Sequence, residues 1–439
     1  MSSVIIKPRL AWLDALRGFA ALVVVLFHLS PIAIGAENHA VMGRYFDMGK
    51  YGVLLFFLVS GYVIPMSLER HGSPRKFWIG RLFRIYPAYL ISVALFVALI
   101  AAGVFTFPRS LARESTAGLL GHATMLQEFV GARSLVRPFW TLSFEMTFYL
   151  IVAGLFVWGL HRFSAWWAAG LILVAAVGGT GLPKNLLGAT VGDRRYLAVL
   201  LALLVGVSLL AYVSGRRWLV LPAGLLGLCF VALPLLNGHS TKYGIANSSW
   251  QATFMLAVMF AGTVIYRAQH GQLSRWAAVP VLALVAAGVA LTTWLSVGGR
   301  YELIKWCATT AAVVITFAIG FALRERRVPA VLVWLGAVSY SLYLLHSVIL
   351  HGLQHVAPES ALDNLLGRAA FSVAFGILTL GGAWLSYRYV EQPGQNLGRR
   401  VQQWVDARLG PDAWRRPVTV PAPARPVEAG EAAVASSPM

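Results

Sequence analysis

The stretch WLDALRGFAALVVVLFHLSP, Trp12 to Pro31, decides how the chain is read. It is apolar for long enough to cross a bilayer, which takes about 20 residues, yet it carries Asp14, Arg17 and His28. An ionisable group inside a span costs about 2.5 to 3.5 kcal/mol on insertion scales and marks a functional position by default. At about 100° per residue, the eleven-residue step from Arg17 to His28 is three turns plus about 20°. Both side chains therefore share a face, with about 16 Å of helix rise between them. Asp14 lies one turn below Arg17, at pairing distance along the helix. Alone, Arg17 reads equally well as a side chain snorkelling to the interface, and His28 as a hydrogen-bonded packing histidine. Together on one face they read as the lining of a polar pathway.

The composition extends this reading to the whole chain. Of 439 residues 58% are hydrophobic and 12% charged, and the mean hydropathy is +0.70; soluble domains carry about 25% charged residues. The expected fold is an all-α, polytopic integral membrane helical bundle of about 10–12 transmembrane helices. Twelve candidate spans can be drawn, at 10–31, 51–68, 86–105, 139–160, 165–182, 196–213, 218–236, 250–266, 276–296, 303–323, 330–354 and 366–387. Lysine and arginine collect in cytoplasmic loops. With the N-terminus inside, the larger share of the 36 basic residues falls on the cytoplasmic side, which favours cytoplasmic N- and C-termini. The formal charge of +19 is then mainly topological, although a basic inner face also suits anionic lipids or an anionic cofactor. Nothing reads as nucleic-acid binding. Cys229 and Cys307 fall in or beside spans as small apolar filler rather than as a disulfide or metal site. Asp14 and Arg17 would interrupt the apolar core of a cleaved signal peptide.

Most connections are short. The exception runs from Phe105 to Phe139, is amphipathic in LLGHATMLQEFV, and is expected to fold over the outer membrane surface. A second outer loop, NGHSTKYGIANSSW, is polar enough to contact a hydrophilic substrate. One membrane domain is expected over residues 1–395, followed by a cytoplasmic, largely disordered tail over 396–439 whose end is RRPVTVPAPARPVEAGEAAVASSPM. No internal repeat stands out.

Further polar groups fall on other spans. FFLVSGYVIP brings Ser60 and Gly61 to a helix able to pack closely on another. RLFRIYPAYL places Arg81 and Arg84 on successive turns at the start of the third span. Two guanidinium groups there can take phosphate oxygens in bidentate fashion; positive-inside anchoring explains the same spacing equally well. FWTLSFEMTFYL puts Glu145 about 7 to 9 Å into the fourth span from the outside. His28 lies at a similar depth, so a carboxylate and an imidazole at one level could work together. SYSLYLLHSVIL places His346 mid-span with Ser339 and Tyr343 on adjacent turns.

At these residues the chain resembles the membrane-bound acyltransferase 3 family, the multi-span O-acyltransferases of bacterial polysaccharides, peptidoglycan, lipid-linked sugars and some antibiotics. The pieces that carry the resemblance are LDALRGFAALVVVLFH, GVLLFFLVSGYVIP, RLFRIYPAYL, WTLSFEMTFYL, LGAVSYSLYLLHSVIL and SYRYVEQP, in the family's order from residue 13 to 393. The resemblance implies a bacterial inner-membrane acyltransferase with His28 as catalytic histidine and Arg17 as its motif partner. It also implies that Arg81 and Arg84 serve the acyl-CoA side and that Glu145 is the fourth-span acid. Asp14, His346 and Ser60 are supporting candidates. Two departures stand out. Twelve spans exceed the ten usually drawn, which bears on residues 196–323, and no fused extracytoplasmic hydrolase-like domain appears, so the chain is expected to act as the bare membrane module.

The expected chemistry is transfer of an acyl group, by resemblance acetyl, from acyl-CoA to a hydroxyl of a sugar, glycan or glycosylated natural product. No metal and no permanently bound cofactor are expected. The CoA phosphates would sit near Arg81, Arg84 and Arg17, and the pantetheine arm would follow the first span to His28. His28 would act as general base, with Glu145 holding the imidazolium; an acyl-histidine intermediate stays open. The alternative is a secondary transporter using the same groups as a proton relay or substrate site.

Overall fold

In a computed structural model the chain is described over residues 11–106, 108–113, 115–239, 241–242 and 245–414. Among these residues every regular element is a helix, and twelve helices are long and apolar enough to cross a membrane. The twelve expected spans correspond to them one for one. In order they are α1 (Ala11–Ala33), α2 (Met48–His71), α3 (Pro74–Ala101), α4 (Trp140–Trp158), α5 (Ser164–Gly178) and α6 (Val191–Ser214). The second half comprises α7 (Arg217–Cys229), whose span a short helix continues to Leu236, α8 (Ser249–Gln269), α9 (Arg275–Val297), α10 (Arg300–Ala322), α11 (Ala330–Val356) and α12 (Leu365–Ser386). A short amphipathic helix, α13 (Gln392–Leu409), follows. The end of the bundle where α1 begins is its lower end. Cys229 and Cys307 are both unpaired.

Lipid tails are as apolar as leucine, so spanning helices associate by close packing, and small residues set where backbones meet. Two such contacts organise this bundle. A Cβ built on Gly18 of α1 would stand 2.5 Å from the Gly336 nitrogen of α11, and one on Gly336 would stand 2.2 Å from the Asp14 carbonyl oxygen. The second contact joins α2 to α8, where a Cβ on Gly61 would meet the Met259 oxygen at 1.7 Å and one on Gly262 the Leu58 oxygen at 2.1 Å. Thr263 reinforces it by donating to the Gly61 carbonyl at 2.8 Å.

The stretch from Phe105 to Phe139 differs from its expected surface placement. Its short helices carry Leu126, Phe129 and Val130, all fully buried, beside Gln127 and Glu128. The segment therefore dips into the bundle, held by Gln127 donating to the Phe139 carbonyl at 2.8 Å and by Asn237 donating to the Phe129 carbonyl at 2.5 Å. Apolar side chains bury more area inside the bundle than on its rim.

The tail boundary also moves. Residues 392–409 form α13, which lies on α3 through Gly394 against Pro87 and Gly398 against Phe83. Buried Arg75 fastens it at the lower end, donating to the carbonyls of Val213, Ser214 and Gly410 and pairing with Asp406 at 3.0 Å. Ser73 donates to Asp412 as well. Glycines able to approach a neighbouring helix, rather than a bare polar composition, make this segment ordered. The rest of the expected tail, 415–439, lies outside the described residues.

Gly336→Ala and Gly61→Ala should each destabilise the protein by about 1 to 3 kcal/mol, because the added methyl cannot be housed without parting two backbones. Gly170→Ala, whose Cβ would meet nothing within 4 Å, is the control and should not lower stability. Thermal unfolding of the purified protein in detergent measures all three; unchanged melting of the first two would mean that neither crossing is close in solution.

Candidate active site

The Gly18–Gly336 crossing sets what lies above it. The helices α1 and α11 run parallel, and ten residues beyond the crossing on each strand of the pair stand His28 and His346. Their rings are 5.0 Å apart, with His346 Nε2 at 3.3 Å from His28 Nδ1. His28 Nδ1 also lies 2.9 Å from the Val24 carbonyl, and His346 Nδ1 lies 3.3 Å from the Leu342 carbonyl. Carbonyls only accept, so both Nδ1 atoms are the protonated ones. His346 Nε2 then offers a lone pair to the His28 Nδ1–H, and His28 Nε2 is left unprotonated, the state a general base requires. His346 is fully buried, whereas His28 is half-buried.

Below the histidines lies a small cavity lined by Arg17, Ser60, Arg81, Arg84, Glu145 and Tyr149 among others. The three arginines come from α1 and α3, and none of them forms an ion pair among the described residues. The Arg81 guanidinium rests 5.3 Å from the ring centre of Tyr149, and that of Arg17 rests 5.8 Å from Phe56. Glu145 accepts a short hydrogen bond from Tyr149 instead. Three guanidinium groups facing one carboxylate leave an excess of positive charge with unused donors, the chemistry of a phosphate or carboxylate site.

Two further cavities continue this one. At the lower end an opening of about 880 Å³ shares Arg81 and Arg84 with it and adds Lys76, His71, Arg399 and Gln402, so that α13 forms one wall. Upward, a narrower space shares Phe56 and is lined by Ala20, Ala21, Val24 and Gly52. Its roof is Tyr343, which donates to the Pro138 carbonyl at 3.0 Å and accepts from Thr141 at 2.9 Å. Tyr343 stacks on Phe56 below and stands 5.8 Å from the His346 ring above. Small side chains on α1 and α2 leave this narrow space between the arginine cavity and Tyr343. Among the described residues no group of three or more His, Cys, Asp or Glu is placed to hold a metal ion.

Two expected partnerships are not formed. Glu145 does not reach His28; it belongs to the arginine cavity, where it accepts from Tyr149. The depth argument counted from the membrane surface, whereas α4 starts inside the protein beneath the inserted 127–139 segment. Asp14 makes no ion pair with Arg17 either, because Arg17 turns into the cavity toward Phe56. Ser60 does line the cavity, and His346 meets His28.

Sequence reasoning passed over Tyr149, Lys50 and Glu391. Glu391, in the quoted SYRYVEQP, is buried and accepts from the Ser341 backbone nitrogen at 3.1 Å and from its hydroxyl. A carboxylate inside an apolar neighbourhood was the available signal. Lys50 has a buried Nζ 4.5 Å from the Trp140 ring centre and no hydrogen-bond partner among the described residues.

This is a polytopic helical bundle with a polar path through its interior. The sequence matches the acyltransferase domain family over residues 10–192 and 196–388, and the chain belongs to that membrane-bound acyltransferase 3 family. It is 30% identical over 154 residues to the acyltransferase MdmB of Streptomyces mycarofaciens, covering 32% of this chain and 38% of that protein. It is 34% identical over 122 residues to the exopolysaccharide production protein ExoZ of Rhizobium meliloti, covering 26% and 36%. With the O-acetyltransferase OatA of Staphylococcus aureus it shares 28% identity over 176 residues, covering 36% and 26%. The chain thus spans less than half the length of these relatives. No solved structure matches it.

Glu128, outside the spans, reports on the inserted segment above the site. Its carboxylate accepts from the backbone nitrogens of Ile245 and Ala246, the latter at 3.0 Å, and burial raises its pKa to about 7. An unfolded glutamate titrates near about 4.3. The folded protein therefore holds this proton more tightly through that window, and the associated stability is present below it and lost as pH rises through about 7. Melting temperatures of wild type and Glu128→Gln, followed from about pH 5 to pH 8, should show wild type losing ground to the variant with rising pH. A constant difference would remove Glu128 as a titrating group of the inserted segment.

Proposed function

We propose that the chain is an acyl-CoA-dependent O-acyltransferase that moves an acyl group, by family acetyl, to a hydroxyl of a sugar, glycan or glycosylated small molecule. It would sit in the inner membrane of a bacterium with both termini cytoplasmic, so that the lower end faces the donor pool. The alignment of three cavities from a basic mouth up to Tyr343, whose ring stands 5.8 Å from that of His346, carries this proposal. The CoA nucleotide would lie in the opening between α3 and α13, against Lys76 and Arg399. Its phosphates would be held by Arg81, Arg84 and Arg17. The pantetheine arm would pass Phe56 and follow the small residues of α1 upward, over the about 16 Å of helix that separates Arg17 from His28.

In the reaction His28 Nε2 takes the proton of the acceptor hydroxyl as its oxygen attacks the thioester carbonyl carbon. The tetrahedral intermediate collapses with cleavage of the carbon–sulfur bond, and the imidazolium returns the proton to the CoA thiolate. The Val24 carbonyl and His346 orient the ring and receive the imidazolium's Nδ1–H, the role first expected of Glu145. Glu145 instead balances the arginines, which keeps the donor site from holding its polyanion too tightly to release it.

His28→Ala should lower acyl transfer by about 10²- to 10⁴-fold, the usual share of a general base, with protein level and membrane insertion unchanged. Activity near wild type would end the assignment. Arg81→Ala and Arg84→Ala should raise the KM for acyl-CoA about tenfold to a hundredfold, as loss of a charge-assisted hydrogen bond does, and leave kcat at saturating donor nearly intact. Arg17→Lys keeps the charge, loses the planar fork and should impair donor use substantially. Donor titrations at fixed acceptor in nanodiscs measure these; a fall in kcat alone for the α3 variants would place the donor elsewhere. Solute flux without acyl-CoA consumption would favour a transporter.

A further inference from the structure

A second space lies on the opposite side of α2 from the reaction path. It is a lateral groove of about 1190 Å³ between α2, α8, α9 and α10, and Thr310 is the one polar side chain lining it. Its floor is the α2–α8 pair, locked at Gly61 and Gly262, with Leu58 and Ile265 facing the groove. Its walls are α9 and α10, which contribute Val285, Val314, Phe317 and Phe321. All four helices are spanning segments, so the medium around the groove is hydrocarbon rather than water. Along α10 the lining runs from Thr310 to Phe321, about 16 Å. That is about half of a 30 Å hydrocarbon core, the length of one leaflet, and it is the lower half.

The lower mouth of the groove is basic. Phe321 closes it, and the Arg324 guanidinium stands 4.4 Å from that ring's centre. Arg324 donates to the Phe321 carbonyl at 2.9 Å, and its one ion pair among the described residues is with the largely exposed Glu325 at 3.0 Å, a contact weak in solvent. Arg326 and Arg327 follow, both exposed and without an ion pair among the described residues, and Arg275 opens α9 at the same end. An apolar slot one leaflet deep, rimmed at its lower mouth by arginines with free donors, has the two-part chemistry of a phospholipid: a hydrocarbon chain and an anionic head group.

We propose that this groove is a binding site for an anionic phospholipid of the lower leaflet, one acyl chain lying along α10 and its phosphate against Arg324, Arg326 and Arg327. The lipid completes the packing between α9–α10 and α2–α8 and so braces α2 from the side opposite the reaction path. The site does not depend on the donor or acceptor of the reaction.

The test uses the full chain, purified in detergent and titrated with phosphatidylglycerol or with phosphatidylcholine carrying the same acyl chains. Bound lipid is read by native mass spectrometry and by thermal stability. Wild type should retain phosphatidylglycerol in preference to phosphatidylcholine by on the order of tenfold or more. The Arg324→Gln, Arg326→Gln, Arg327→Gln triple variant should lose that preference while still taking phosphatidylcholine at the wild-type level. Val314→Trp, which fills the groove, should lower retention of both lipids. Equal retention of the two lipids by wild type would overturn the proposal. So would a tryptophan variant that holds phosphatidylglycerol as wild type does, since the lipid would then be an unspecific annular one. If Val314→Trp does not fold, the arginine variant decides alone, because its side chains are on the surface: an undiminished preference would overturn the head-group site.

Discussion

The contact between Gly18 and Gly336 is the constraint from which the site follows. Two parallel helices that meet backbone to backbone at that level have no freedom in what they present ten residues later, where His28 and His346 face one another. The same crossing leaves Arg17, on the adjacent position of α1, turned away from α11's backbone and into the interior cavity. A side chain at either glycine would tilt α1 and change both relationships together.

Keeping three guanidinium groups inside a membrane protein is expensive, and this bundle offsets the cost in pieces. Tyr149 and Phe56 offer their ring faces, Glu145 supplies one negative charge, and Glu391 lies close enough to bear on Arg17 and Arg84. Neither carboxylate forms an ion pair with an arginine among the described residues. The arrangement tolerates the cations without consuming their donors, which suits a site whose anion arrives and leaves. The wall contributed by α13 matters for the same reason, since it brings Arg399 and Gln402 over the entrance.

The passage above is built by subtraction. Ala20, Ala21 and Gly52 leave a slot where larger residues would have filled the space between α1 and α2, and Phe56 stands at its lower threshold, shared by both cavities. Stacking on Tyr343 holds that ring, and Tyr343 is itself held by Thr141 and Pro138. The chain Arg17, Phe56, Tyr343, His346, His28 is thus continuous contact from the lower cavity to the paired imidazoles.

Much of this was legible in the sequence because a bilayer imposes a simple rule on composition. Twelve apolar runs had to be helices, and helix geometry alone put Arg17 and His28 on one face, just as it put Arg81 and Arg84 on successive turns. Helix geometry says nothing about level, however. Glu145 was expected beside His28 because its depth was counted from the membrane surface, and the insertion of 127–139 into the bundle lowered the start of α4. The partner of His28 proved to be His346, more than three hundred residues away, through a glycine crossing that no local pattern announces. Likewise Asp14 turned out unpaired with Arg17, and residues 392–409 became an ordered wall instead of tail, because Gly394, Gly398 and Arg75 found partners on other helices. The sequence by itself determined which groups enter the membrane and along which helix face. Only the packing of one helix on another decided which of them meet, since close approach depends on both surfaces at once.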